Sequence, residues 1–189
     1  MKDNPIKHKP RQKYCSYCGS VVSMKIPKGD NKERAVCDHC DTVFYENPKI
    51  VSGCLLTWKN KILLCKRATE PRAGYWTLPA GFLENNETIE EGALRETFEE
   101  AGAKANSLNP FLLCNLPHIS QIYIMFHGEL TDGKFSAGLE SSEVRLFSKN
   151  EIPWNEIAFL VISKTIKLYY QDLKNGTIGI HFDTINKKP

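Results

Sequence analysis

The sequence lacks long apolar runs, a strong charge of one sign, internal repeats and low-complexity segments. Its 189 residues carry 25 basic and 22 acidic side chains, a net charge of +3, which is too small to indicate nucleic-acid binding. No apolar run approaches the length of a membrane span. Residues 1–13 are polar and basic without an apolar core, so we expect no secretory signal. A hydrophobic content of 41% is sufficient for a core. We therefore expect a cytoplasmic protein without membrane or nucleic-acid partners.

The cysteines do not have the distribution of a disulfide framework. Four of the seven form two Cys-x-x-Cys pairs separated by eighteen residues, a spacing that matches a closed, structural Cys₄ zinc site. About 30 residues bury little core, so zinc would supply the folding energy. A redox pair or a disulfide is the alternative interpretation. The predicted zinc ligands are Cys15, Cys18, Cys37 and Cys40, while Cys54, Cys65 and Cys114 lie in apolar runs.

Acidic side chains concentrate in residues 81–103. Glu96, Glu99 and Glu100 have the spacing i, i+3, i+4, which places three carboxylates within about 100° on one helix face. Carboxylates crowded in this way repel one another unless a cation lies among them. Oxygen ligands of this kind suit a hard cation, Mg²⁺ or Mn²⁺. The segment therefore predicts a divalent metal site on a helix.

The same helix has an apolar side. Leu94, Phe98 and Ala101 cluster opposite the carboxylates, so we expect them to be buried. Residues 78–81 precede the helix as a strand end and tight turn, which would complete a cradle for a metal-bound phosphate. A solvated helix with i,i+4 charge pairs is the alternative, but several acids share one nearby cation, Arg95.

The pattern extends over fixed positions, which are Gly81, Glu87, Arg95, Glu96, Glu99, Glu100 and Gly102. In this register the segment resembles the Nudix box of the Nudix hydrolases. One residue departs from that pattern, because Thr97 stands where an aliphatic residue is usual. We expect a small packing penalty there and intact chemistry.

The resemblance implies hydrolysis of a diphosphate that joins a nucleoside to another group. It implies metal ligation by Glu96, Glu99, Glu100 and the carbonyl of Gly81. We expect Arg95 to orient a neighbouring glutamate, and Glu87 to lie at the rim or anchor the loop. The general base stays open between the box glutamates, Glu140 and Glu143 from a later loop.

The order of strands, helix, strands and helix predicts an α+β fold, a mixed sheet between two helices in an α/β/α sandwich. The Nudix fold implied by the resemblance agrees with it. The expected divisions are a flexible N-terminus 1–13, a zinc ribbon 14–46, a Nudix domain 47–174 and a C-terminal tail 175–189 with no assigned role.

The resemblance extends to one subgroup of zinc-ribbon Nudix proteins. It covers residues 14–188 and is carried by the ribbon and by residues 75–81, 140–147 and 179–186. This subgroup includes FAD and ADP-ribose diphosphatases, and the likeness implies these substrates and a homodimer. An adenine ring would stack on an aromatic side chain, with Tyr75, Trp76, Phe82 and Tyr123 as candidates.

Two other functions remain as alternatives. NADH diphosphatases also carry a zinc ribbon, but residues 115–121 read Asn-Leu-Pro-His-Ile-Ser-Gln and lack the Ser-Gln-Pro-Trp-Pro type array of that class. A non-catalytic binding module that uses the ribbon is the second, and the complete set of box acids argues against it.

Overall fold

The computed structural model describes residues 12–186. The chain divides between Asn47 and Pro48 into two compact units. Most of the N-terminal segment that we expected to be flexible lies outside the described residues. No described helix is long and apolar enough to cross a bilayer.

The smaller unit is a three-stranded antiparallel sheet, which contains β1 (Val22–Lys25), β2 (Arg34–Cys37) and β3 (Val43–Phe44) in that order. Its buried core is small, since it is formed by Cys15, Val22, Ala35 and Cys37. Two of these four residues are predicted zinc ligands. The ribbon therefore has little apolar burial to stabilise it apart from the cysteine site.

Over its described residues, 48–186, the larger unit contains two helices and eight further strands. Its helices are α1 (Ile89–Ala101) and α2 (Leu160–Asn175). Short 3₁₀ turns cover Pro117–Ile119, Lys149–Glu151 and Trp154–Glu156. The strands are β4 (Lys49–Trp58), β5 (Lys61–Arg67), β6 (Trp76–Thr77), β7 (Ala80–Phe82), β8 (Ala105–Leu116), β9 (Gln121–Leu130), β10 (Ser141–Phe147) and β11 (His181–Thr184).

These strands form one mixed sheet in the order β10-β5-β4-β9-β8-β11, with β6 paired to β5 and β7 paired to β4. The pairs β4–β9 and β8–β11 are parallel, and the other pairs are antiparallel. Successive side chains of a strand point to opposite faces of a sheet. Accordingly Leu55 joins one buried core, while Cys54 and Leu56 join another.

Each core belongs to one helix. Val161 and Ile166 of α2 pack in the core that holds Leu55, and Ala93 and Ala101 of α1 pack in the other. The sheet therefore lies between two helices, and the predicted α+β sandwich is confirmed.

A two-residue turn joins β4 to β5 in a hairpin. Lys59 and Asn60 both have positive φ angles, 48° and 62°, as a two-residue type I′ turn requires. This turn sets the register that pairs Thr57 with Ile62.

Helix α1 is capped at both ends. Thr88 and Glu91 form a capping box, and Gly102 ends the helix at φ 56° with its N–H bonded to the Phe98 carbonyl. The expected buried face is wrong in part. Phe98 is 57% exposed, whereas Glu100 is only 5% exposed. Small side chains such as Ala93 lie against the sheet, so the buried face of α1 is closer to the acidic residues than the sequence predicted.

The segment after α2 adds a strand that the sequence did not indicate. β11 pairs in parallel with β8, with His181 opposite Leu112 and Thr184 opposite Asn115. Four residues are too few to show a hydrophobic alternation that would indicate a strand. Their pairing partner lies about 70 positions earlier in the chain, so no local pattern indicates the pairing.

Candidate active site

Strand β7 and helix α1 approach each other closely at Gly81. A Cβ atom at Gly81 would clash with the carboxylate of Glu96. β7 is fixed by its pairing to β4, where Gly81 lies opposite Ser52. Helix α1 is fixed on the same strand by the Ser52 hydroxyl, which donates to the Ile89 carbonyl at 2.6 Å. The close approach therefore places a glutamate carboxylate against the backbone of residue 81.

Arg95 organises the acidic residues around this contact. Its guanidinium donates twice to Glu87, with Nε–Oε2 3.0 Å and Nη2–Oε1 2.8 Å. Nη1 reaches Glu96 at 2.8 Å and Glu99 at 3.0 Å, and Nη2 reaches the Phe82 carbonyl at 3.1 Å. The Arg95 hydrogen bonds are the largest cause that lowers the pKa of Glu87 to about 2. Arg95 therefore contacts three glutamates of the segment, and Glu87 accepts two of its hydrogen bonds.

Glu100 differs from its neighbours because it is buried without an ion pair among the described residues. It is 5% exposed, and its Oε2 accepts the Ala80 N–H at 3.1 Å. Burial raises the pKa of Glu100 to about 7, and the charges of Glu96 and Glu140 act in the same direction. Burial also raises the pKa of Glu96. A cation placed here would stabilise both charged carboxylates.

The loop before β10 brings a further carboxylate to the cavity. The N–H groups of Ser136 and Gly138 donate to the carbonyls of Ala101 and Glu100, at 2.7 and 3.1 Å. These carbonyls belong to the last turn of α1, where the helix leaves acceptors unpaired. A Cβ atom at Gly138 would clash with the Glu99 carbonyl. The loop therefore lies directly on the helix that carries the box.

The two later carboxylates considered as the general base, Glu140 and Glu143, lie in different surroundings. Glu140 lines the same cavity as the box glutamates, and its charge raises the pKa of Glu96 and Glu100. Glu143 is exposed on β10 opposite Lys66 and does not line that cavity.

A cavity of about 1210 Å³ opens beside these residues. Two of the four aromatic candidates, Phe82 and Tyr123, line it. Trp76 instead packs in the core, edge-on to Phe147 with ring centroids 4.7 Å apart. The lining residues that the sequence did not reveal include Arg67, Arg72, Phe159 and Ile185. The guanidinium of Arg67 lies 5.4 Å from the Phe159 ring centroid. No local pattern marks these residues, because distant loops bring them together.

The residues suit a hard divalent cation in their chemistry. They supply carboxylate oxygens, a glycine backbone in close approach, and the buried Glu100, which forms no ion pair with another described residue. Their positions differ from a formed metal cage. Among the described residues, only the four ribbon cysteines bring three or more ligand atoms within 4.8 Å of one another. Glu96 and Glu99 are instead held by Arg95, and the Glu99 side chain is 57% exposed.

The four ribbon cysteines converge as a closed zinc site. Their Sγ–Sγ distances are 3.7 Å for Cys15–Cys40 and 3.5 Å for both Cys18–Cys37 and Cys18–Cys40. Four thiolates around zinc at ~2.3 Å lie ~3.8 Å apart in a tetrahedron. The sulfurs therefore have the spacing that zinc requires, and they fit a structural ion.

Backbone amides support the same sulfurs. The Cys37 Sγ accepts the N–H groups of His39 and Cys40, both at 3.4 Å, and the Cys15 Sγ accepts from Tyr17 at 3.4 Å. The hydrogen bond from Thr42 is the largest cause that lowers the pKa of Cys40 to about 6. Thiolates are the form that binds zinc, and these contacts stabilise them.

Two family models match this chain. The model described as "Nudix N-terminal" matches residues 13–46, and the model described as "NUDIX domain" matches residues 47–165. This chain belongs to the Nudix hydrolase family. The fold, the zinc ribbon and the classification as a Nudix diphosphatase, all expected from the sequence, are confirmed.

Individual Nudix relatives span different shares of the chain. A crystal structure of a Nudix hydrolase from Nitrosomonas europaea is 50% identical, with a TM-score of 0.89, and covers 93% of this chain and 100% of its own. The ADP-ribose pyrophosphatase of Methanocaldococcus jannaschii is 35% identical over 136 residues, which are 70% of this chain and 78% of the relative.

The NAD-capped RNA hydrolase NudC of Photobacterium profundum is 27% identical over 164 residues, 83% of this chain and 59% of the relative. The match to NudC of Shigella flexneri is 28% identical and covers 64% of this chain and 45% of that protein. The chain therefore spans about half the length of these longer relatives.

Proposed function

We propose that the protein is a Mg²⁺- or Mn²⁺-dependent hydrolase of nucleoside diphosphate-linked compounds, with FAD and ADP-ribose as substrates. The observation that carries the proposal is the buried Glu100 carboxylate, which lines a cavity of about 1210 Å³ and forms no ion pair within residues 12–186. The water-accessible space accommodates a dinucleotide-sized ligand, because typical ligand pockets measure about 300–1,000 Å³.

The residues divide the work of this reaction. Glu96, Glu99, Glu100 and the Gly81 carbonyl would hold the cation, which when bound would neutralise diphosphate charge and make water more acidic. Arg95 holds Glu96 and Glu99 in place through the contacts described above and is fixed in turn by Glu87. Arg95 is thus a positioning residue, since its donors are occupied by protein acceptors.

We assign the general base to Glu140. The box carboxylates serve the cation, whereas Glu140 lines the cavity from a separate loop. It would accept a proton from the attacking water as the new P–O bond forms and the bridging P–O bond breaks. The products are FMN and AMP from FAD, or AMP and ribose 5-phosphate from ADP-ribose.

The test is a comparison of initial rates on FAD, ADP-ribose, NADH and diadenosine polyphosphates, with Mg²⁺, with Mn²⁺ and after chelation. We expect FAD or ADP-ribose to be cleaved fastest, and cleavage to disappear with chelator. A rate on NADH above those on both FAD and ADP-ribose would contradict the substrate assignment but not the diphosphate chemistry.

NAD-related substrates are the second candidate. They are favoured by the relatives named NAD-capped RNA hydrolase, which align with up to 83% of this chain. The segment 115–121 lacks the array typical of NADH diphosphatases and forms the end of β8, a 3₁₀ turn and the start of β9. Adding NAD-capped RNA to the rate comparison also tests the expectation that no nucleic acid is bound.

The homodimer remains a proposal that rests on the resemblance to its subgroup. Light scattering on the purified protein would measure the mass directly, against 21.5 kDa for one chain. A mass of one chain at micromolar concentration would reject it. The cytoplasmic location remains a prediction.

A further inference from the structure

The segment after α2 returns to the cavity of the proposed active site. We call residues 177–185 the C-terminal strap. Its strand β11 runs beside β8, and the next residue, Ile185, donates its N–H to the Asn115 carbonyl at 2.9 Å. The Ile185 side chain lines the cavity and packs against the core that holds α2. Within the strap, Ile185 alone lines that cavity.

Charged contacts fix the strap in this position. The buried Asp172 of α2 accepts the Gly179 N–H and a hydrogen bond from His181 Nε2, both at 2.9 Å. Farther along, Asp183 forms an ion pair with Lys164 of α2. A buried carboxylate is unfavourable unless its hydrogen bonds are satisfied. Asp172 is satisfied by the strap, so displacement of the strap would leave this carboxylate without those partners.

Sheet register places Ile185 in the apolar part of the cavity. Thr184 lies opposite Asn115, so Ile185 continues the parallel pairing beside Leu116. Leu116 pairs with Gln121, and Tyr123 lies two positions further on the same face. All three, like Ile185, line the cavity.

We propose that the strap forms one wall of a subsite for a planar heteroaromatic ring of the substrate, and that residue 185 determines how tightly the ring binds. This inference rests on the proposed diphosphatase function. An aliphatic side chain buries apolar area against a ring, and a tyrosine offers a stacking surface. The acidic box lines the same cavity. A substrate whose ring binds here would therefore extend its diphosphate toward the box.

The test measures ligand binding by calorimetry without metal or turnover. The probes are AMP, FMN and ribose 5-phosphate, which carry an adenine, a flavin and no aromatic ring. We expect Ile185→Ala to weaken AMP or FMN binding about tenfold, the range for lost apolar contacts in a pocket. Ribose 5-phosphate binding should be unchanged. The ring whose affinity falls identifies the occupant.

Ile180→Ala is the matched control. Ile180 belongs to the same strap and is 60% exposed, but it does not line the cavity. Its variant should bind all three probes as the wild type does. An unchanged affinity for both AMP and FMN in Ile185→Ala would overturn the inference, as would an equal loss for all three probes or no binding of either nucleotide to the wild type.

Hydrogen exchange supplies a second readout. AMP or FMN should slow exchange at residues 181–186 in the wild type, and this protection should be reduced in His181→Gln. An absence of ligand-dependent protection in the wild type would also overturn the inference. Failure of the diphosphatase proposal is distinguishable, because it appears as absent product release while ring binding persists.

Discussion

The two groups of predicted metal-ligand side chains differ in how closely their ligand atoms approach one another. In the ribbon, cysteine sulfurs already lie 3.5–3.7 Å apart and accept backbone N–H groups. In the larger unit, the box carboxylates do not converge to that degree. Arg95 forms ion pairs with two of them, Glu96 and Glu99, and the Glu100 side chain is buried. A closed site suits a structural ion, and an open site leaves positions for substrate and water.

The surrounding cores explain the difference. The hydrophobic cluster of the ribbon holds four buried residues, two of which are cysteines of the site. The box lies on a helix that packs against a mixed sheet with a large core of its own. Loss of a ligand should therefore unfold the ribbon locally, while loss of a box carboxylate should remove catalysis and keep the fold.

The largest effect is expected from Glu100→Gln. This change keeps the shape of the side chain and removes its charge, so cation binding should weaken and turnover should fall about 10² to 10⁴-fold. Initial rates in saturating Mg²⁺ measure it. Glu90→Gln on the same helix is the control, since Glu90 is exposed and does not line the cavity. Near wild-type turnover in Glu100→Gln would remove Glu100 from the proposed site.

Glu140 and Glu143 form a matched pair in one region of the chain. Glu140→Gln should lower kcat about 10²-fold, the lower end of the range for a general base. Glu143→Gln should stay within about twofold, because its side chain does not line the cavity. A pH–rate profile for each variant completes the measurement. Equal losses in the two variants would contradict the assignment of the base.

Metal-free stability should report the burial of Glu100. Its pKa is raised from 4.5 to about 7 in the folded protein, so the native state binds more protons between these values. The unfolding free energy should therefore fall as pH rises from about 4.5 to 7, by about 3 kcal/mol. Glu100→Gln should lack this decline.

All three tryptophans lie beyond residue 47, so tryptophan fluorescence in denaturant follows the larger unit. Excess Mg²⁺ should reduce the decline in the wild type by stabilising the charged carboxylate. The same pH dependence in the wild type and in Glu100→Gln would show that another group causes it.

Local spacing was sufficient to predict much of this molecule. The two Cys-x-x-Cys pairs predicted a site whose sulfurs converge. The spacing of Glu96, Glu99 and Glu100 predicted a helix, and these residues lie on α1. In each case the residues that determine the structure are close in sequence.

Features that depend on distant contacts were not predictable. Helical spacing indicated two sides of α1 and assigned Phe98 to the buried side. In the structure Phe98 is exposed, because packing against the sheet determines which side is buried. β11 exists because β8 offers a free edge, and Ile185 reaches the cavity only through that pairing. The contact of Gly138 with α1 likewise depends on a loop whose path no short pattern specifies.

Among changes at the proposed metal-ligand and base residues, the smallest effect on turnover is expected in the ribbon. Cys37 is fully buried, and its Sγ lies 3.5 Å from that of Cys18. Cys37→Ser removes one of four thiolates, so zinc should be lost and the ribbon should unfold. The larger unit should keep its tryptophan fluorescence transition, and turnover should stay within a few-fold, because its cores contain no ribbon residue.

Elemental analysis should find one zinc per chain in the wild type and in Cys54→Ala, a cysteine outside the ribbon, and none in Cys37→Ser. A wild type without zinc, or a Cys37→Ser variant whose larger unit no longer folds, would break the distinction between the two sites.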